Sequence, residues 1–141
     1  MFDRIKTRLS SDEGFTLIEL LVVIVILGIL VAIAVPSYLS LRGNAQTAAA
    51  KSNVRSAIPA AEEYYQTTGG SSYTGLSQAT LNTVAPGISP NVKAGPNAAG
   101  TGYCIEDSED GGTTYYSYTG GSGGTSTIAV GACASGTYTV S

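Results

Sequence analysis

The 141-residue chain has no histidine, no tryptophan and only two cysteines, and charged side chains make up just 12% of it. Each scarcity removes a class of function. Without histidine, no Ser-His or Cys-His pair can form and no imidazole can ligate a metal. Cys104 and Cys133 lie too far apart for a CxxC redox or thiolate-metal motif. The 7 basic residues are scattered and the net charge is -3, so no basic patch exists to track phosphates, and direct nucleic-acid binding is not indicated. Glu62 and Glu63 are adjacent; on a helix they point apart and read as a solvated face. The chain is therefore expected to be neither an enzyme nor a cofactor binder, and its nine tyrosines to pack the fold or lie on its surface.

What the chain does have is a long apolar run. From Phe15 to Val35 the one charged residue is Glu19. Roughly 20 apolar residues at about 1.5 Å rise cross a hydrocarbon core of about 30 Å. The run exceeds the roughly 7 to 15 residues of a secretory h-region, and a lone Gly14 precedes it instead of a small-residue cleavage site following it. Arg4, Lys6 and Arg8 lie before the span and only Arg42 close behind it, which keeps the N-terminus cytoplasmic and exports everything after Pro36.

Residues 37–67 are rich in alanine, with Tyr38, Leu41, Ala45 and Ala48 and then Val54, Ile58, Ala61 and Tyr65 at helical spacing. A helix is predicted to continue from the span through this region, its second half packing on a head. The offset between the two sets, together with Pro59, predicts a bend or break near Ser56. Gly69 and Gly70 end the pattern, and 15 of the 18 glycines lie beyond residue 67. Residues 68–102, with Pro86, Pro90 and Pro96, read as a connecting loop with little regular structure. In residues 103–141 four segments rich in Tyr, Thr, Val and Ile, at 103–106, 113–119, 126–130 and 137–140, read as short strands between turns. The expected fold class is α+β: a long N-terminal helix against a small C-terminal antiparallel sheet.

Gly14, Phe15, Thr16, Leu17, Ile18 and Glu19, behind a short basic leader and ahead of the apolar run, resemble the class III signal of type IV pilin precursors and pseudopilins. Pro36 also matches the proline ending the apolar part of the family helix. The resemblance is close over residues 1 to about 60 and rests on layout beyond. It implies that residues 1–14 are a leader cut off between Gly14 and Phe15 by a prepilin peptidase that also N-methylates Phe15. It further implies a subunit held as a single-pass protein in membrane lipid of the cytoplasmic membrane. The pilus assembly machinery then builds such subunits, through residues 15–36 of the helix, into a homo-oligomeric filament on the cell surface. A pseudopilin of a type II secretion or competence system is the alternative within the family. A signal-anchored exported binding domain that never assembles is the alternative outside it.

Burying Glu19 in an apolar segment costs on the order of 2.5 to 3.5 kcal/mol. The α-amino group created at Phe15 by cleavage could offset this; the resemblance favours the amine of a neighbouring subunit. Otherwise Glu19 sits near the head-group boundary and gains from the helix N-terminus. Gly28 and Pro36 are poor helix formers, giving a mild kink or a segment that loosens in the filament. Cys104 and Cys133, in an oxidising compartment, are expected to form a disulfide closing about 29 residues. Glu106, Asp107, Glu109 and Asp110 could offer oxygens to calcium, though they read more simply as a solvated turn.

Overall fold

Helix α1 spans Leu17–Gln66 in the computed structural model, in which residues 15–68 and 70–141 are described. The chain divides into two compact units, Met1–Ser40 and Leu41–Ser141. In the first, the large apolar side chains from Phe15 to Leu39 stay exposed on every side of the helix, as with Leu17 at 84% and Ile24 at 59%. A helix apolar all round needs lipid or other helices about it. Gly28 and Pro36 both lie inside it. Pro36 offers no N–H to the carbonyl of Ala32, and the Ser37 hydroxyl donates to the carbonyl of Ile33 at 3.3 Å one residue on.

In the second unit α1 becomes one-sided. Ala50, Val54, Ala57, Ala60, Ala61 and Tyr64 are buried at spacings of three and four. Of the bend or break expected near Ser56, the break is absent, since α1 runs through it. Arg55 and Pro59 are both exposed, so the Arg55 carbonyl that loses its donor faces water. Buried Ala57, Ala60 and Ala61 meanwhile hold the helix on the core. Gly69, one of the two expected caps, lies outside the described residues; Gly70 follows the helix with φ 58°, as a cap requires.

The region read as a connecting loop with little regular structure contains two short elements. Helix α2 spans Gln78–Val84, and strand β1 spans Lys93–Pro96. A capping box starts α2: the Thr80 N–H donates to the Ser77 hydroxyl and the Ser77 N–H to the Thr80 hydroxyl. Leu81 anchors it at 0% exposure. Three of the four expected strands form: β2 (Gly102–Asp107), β3 (Tyr116–Gly121) and β4 (Ile128–Val130). The sheet order is β1-β2-β3-β4, antiparallel throughout.

The fourth expected strand, at 137–140, is not a regular strand. Its backbone runs beside β1, with the Thr139 N–H donating to the Pro96 carbonyl at 3.1 Å and the Ser141 N–H to that of Ala94 at 3.2 Å. Pro96 has no N–H to return, so the ladder stays incomplete. The close approach also requires Gly95, where a Cβ would strike the Thr139 carbonyl. Alternation along β2 sends Tyr103, Ile105 and Asp107 toward α1, and Cys104 and Glu106 to the opposite face. The core unites α1, α2, β1 and β2 through Val54, Ala57, Leu81, Ala94, Tyr103 and Ile105.

Candidate functional site

The start of α1 carries the resemblance, and its chemistry begins with Thr16. Thr16 stands just before the first helical residue, where backbone N–H groups lack helical acceptors. Its backbone N–H and its hydroxyl both donate to Glu19 Oε2 at 3.0 Å, and the Glu19 N–H donates to the Thr16 hydroxyl at 3.2 Å. This is a reciprocal capping box. Both side-chain bonds fall on one carboxylate oxygen, so Oε1 is the atom that a cation from outside can take. Phe15 is 85% exposed beside it. Gly14 lies outside the described residues.

Thr16 was not singled out from sequence, although a Thr followed three residues later by Glu before an apolar run is the capping-box pattern. Its consequence is that Glu19 is not a bare charge in a lone subunit. Two donors of its own chain serve it, the Thr16 N–H and the Thr16 hydroxyl.

In the head, the four acidic residues at 106–110 go to different partners. Glu106 takes the Cys133 N–H at 2.6 Å. Asp107 takes Asn53 Nδ2 at 2.9 Å and the Ser108 N–H at 2.8 Å. Burial pushes the Asp107 carboxyl above its usual range, against these bonds. Glu109 takes Asn53 Nδ2 at 2.7 Å and Asn91 Nδ2 at 3.2 Å. Asp110 accepts from the Ser108 hydroxyl and the Thr113 and Thr114 N–H groups, which hold it well below the usual carboxylate range. Among the described residues no group of three or more side chains is arranged to hold a metal ion. The cluster is better described as loop stitching.

Cys104 and Cys133 are bonded, with Cα atoms 6.0 Å apart. The tyrosines pack as expected, stacking Tyr65, Tyr73, Tyr103 and Tyr118 with centroids 4.7, 4.6 and 6.1 Å apart in turn. Glu62 departs from the solvated face expected of it: its carboxylate accepts the Tyr103 hydroxyl at 2.8 Å and the Tyr73 hydroxyl at 3.0 Å. Only Glu63 stays exposed.

Residues 9–35 match the sequence family described as a prokaryotic N-terminal methylation motif. The type IV wide pilus major component PilA4 of Thermus thermophilus is 31% identical over 112 residues, 79% of this chain and 84% of that protein. The type IV major pilin protein PilA of Myxococcus xanthus is 37% identical over 62 residues, 44% of this chain and 28% of that protein. The type II secretion system core protein G of Pseudomonas aeruginosa is 49% identical over 56 residues, 40% of this chain and 39% of that protein. The chain thus spans well under half the length of the last two relatives. No solved structure matches the chain.

Proposed function

Because the chain belongs to the type IV pilin family, we propose that it is a structural subunit of a type IV pilus, made as a membrane-anchored precursor. The observation that carries this reading is the part of α1 from Leu17 to Ser40: a helix apolar on every side, long enough to cross a membrane, whose one charged residue is Glu19 at its start. Such a helix is stable in lipid and equally stable among copies of itself, which is what a subunit that moves from a membrane into a filament requires.

Peptidase cleavage between Gly14 and Phe15 exposes an α-amino group at the mouth of the capping box, and methylation of Phe15 keeps that amine basic. In the membrane, Thr16 serves Glu19 through Oε2. In the filament, the amine of a neighbouring Phe15 takes the carboxylate, so a subunit is neutralised when it enters in the correct stagger. Gly28 and Pro36 give the helix between them room to adjust on that transfer. The acidic loop and the tyrosine stack shape the exported head.

The likeness to the secretion-system core protein supports a second reading, a pseudopilin that builds a short fibre with the same helix chemistry. Mass spectrometry of the mature chain tests the scheme: a chain beginning at methylated Phe15 with the disulfide closed is expected. A mature chain beginning at Met1 would overturn it in favour of a non-assembling anchored domain. Abundant surface filaments containing the chain select the pilus over the secretion fibre.

A further inference from the structure

The segment 131–141 leaves the β3 side, where the Gly131 N–H donates to the Tyr115 carbonyl at 2.8 Å, and crosses to β1 with little apolar burial: Cys133, Tyr138 and Val140 are half-buried and the rest exposed. None of its residues belongs to the buried core, and its backbone meets β1 through the Thr139 and Ser141 bonds described above. Yet Cys133 must reach Cys104, which is fully buried on β2 and 29 residues away in sequence. Bringing such distant residues together costs loop entropy before the disulfide exists to repay it.

Glu106 adds an attraction at Cys133 itself. It lies two residues from Cys104 on the same face of β2 and is 5% exposed, and its Oε2 accepts the Cys133 N–H at 2.6 Å. An amide donating to a carboxylate makes a charge-assisted bond, about twice as strong as a neutral one. Lys93 stands directly opposite Glu106 in the β1–β2 register. The bond holds the Cys133 backbone itself, so it places the thiol as well as the segment.

We infer that Glu106 is a positioning residue for disulfide closure: it captures the Cys133 amide, sets the Cys133 thiol beside Cys104, and so lets the bond fix 131–141 along β1. The chemistry is thiol–disulfide exchange with a small disulfide oxidant. One cysteine thiolate attacks the oxidant, forming a mixed disulfide and releasing one thiol. The second cysteine thiolate attacks the mixed disulfide at the protein sulfur, closing Cys104–Cys133 and releasing the second thiol. The two protein thiols lose two protons and two electrons, and one oxidant disulfide becomes two thiols. Glu106 acts on the second step, because only that step brings Cys133 and Cys104 together.

The test uses the reduced full-length chain in detergent micelles, mixed with oxidised glutathione, quenched in acid and read by mass spectrometry as free, mixed-disulfide and closed forms. Glu106→Gln keeps the shape and an acceptor oxygen but loses the charge. It is expected to form the mixed disulfide at the wild-type rate and to close about fivefold more slowly, with the mixed species accumulating. Glu106→Ala is expected to close at least about tenfold more slowly, and Glu63→Gln to match wild type in both steps. Closure of Glu106→Gln at the wild-type rate overturns the inference, whatever the folding of the alanine variant. Equal slowing of both steps, or a tyrosine near-UV spectrum of the oxidised glutamine variant unlike wild type, overturns it too, by showing a general loss of structure.

Discussion

Glu62 shows how much one side chain can depend on residues far away in sequence. Adjacent glutamates on a helix read as solvent-facing, yet the fold brings Tyr73 and Tyr103 over Glu62, from 11 and 41 residues away. Tyr103 is fully buried, so its hydroxyl has a high cost if left without an acceptor. Glu62→Ala is expected to destabilise the head by about 2 to 3 kcal/mol, read from thermal melting. Burial first, and the Glu62 carboxylate second, push both phenols well above the ordinary tyrosine range. Unfolded tyrosines ionise near about pH 10, where the folded phenols still hold their protons. Above that pH the unfolded state binds fewer protons, so stability is full below about pH 10 and falls as the pH rises beyond it. Replacing Tyr73 and Tyr103 with Phe should flatten that alkaline loss in melts taken between about pH 9 and 11. The residues at the start of α1 were legible for the opposite reason. Phe15 and Glu19 announce themselves by local pattern, and so would Thr16, whose partner is three positions away.

At the scale of elements, legibility followed length. The apolar run and the alanine-rich periodicity of α1 extend over many turns, and β2, β3 and β4 are carried by clustered Tyr, Ile, Val and Thr. Helix α2 has 7 residues, too few for a period to show, and its capping partner is Thr80 where Glu or Gln is the usual signal. Strand β1 contains both Gly95 and Pro96, which ordinarily argue against a strand; here Pro96 ends it and Gly95 admits the C-terminal segment. Pro59 does not break α1, because it and Arg55 are exposed while buried neighbours on the opposite side hold the helix to the core. Two substitutions measure how much α2 matters. Ser77→Ala should cost about 1 kcal/mol through the lost cap, and Leu81→Ala about 2 to 5 kcal/mol through the cavity left in the core. Both are read from denaturant or thermal unfolding of the head signal. A Leu81→Ala cost no larger than that of Ser77→Ala would mean that Leu81 packing does not dominate the hold on α2.

At the scale of the whole molecule, the two units answer to different solvents. Leu41–Ser141 buries its own core and closes its own disulfide, whereas the apolar helix surface of Met1–Ser40 has no cover within the described chain. Assembly is therefore expected to depend on the chemistry at the start of α1. Two roles are open to Glu19 there: helix cap for its own chain, or counter-charge for a neighbour. Thr16→Val and Glu19→Gln separate them. Valine removes the hydroxyl that both donates to Oε2 and accepts the Glu19 N–H, but leaves the carboxylate and the backbone N–H of residue 16 in place. Glutamine keeps an acceptor for the cap but loses the charge. If capping were the whole role, the valine change would harm filament yield at least as much as the glutamine change, since it costs about 0.5 to 2 kcal/mol of helix stability. If the carboxylate must meet the amine of a neighbouring Phe15, Glu19→Gln should abolish filaments, while Thr16→Val leaves the yield near wild type because the carboxylate stays available. Sheared surface filaments, quantified for each variant alongside the membrane pool of mature subunit, distinguish the two. A normal filament yield from Glu19→Gln would exclude the counter-charge role.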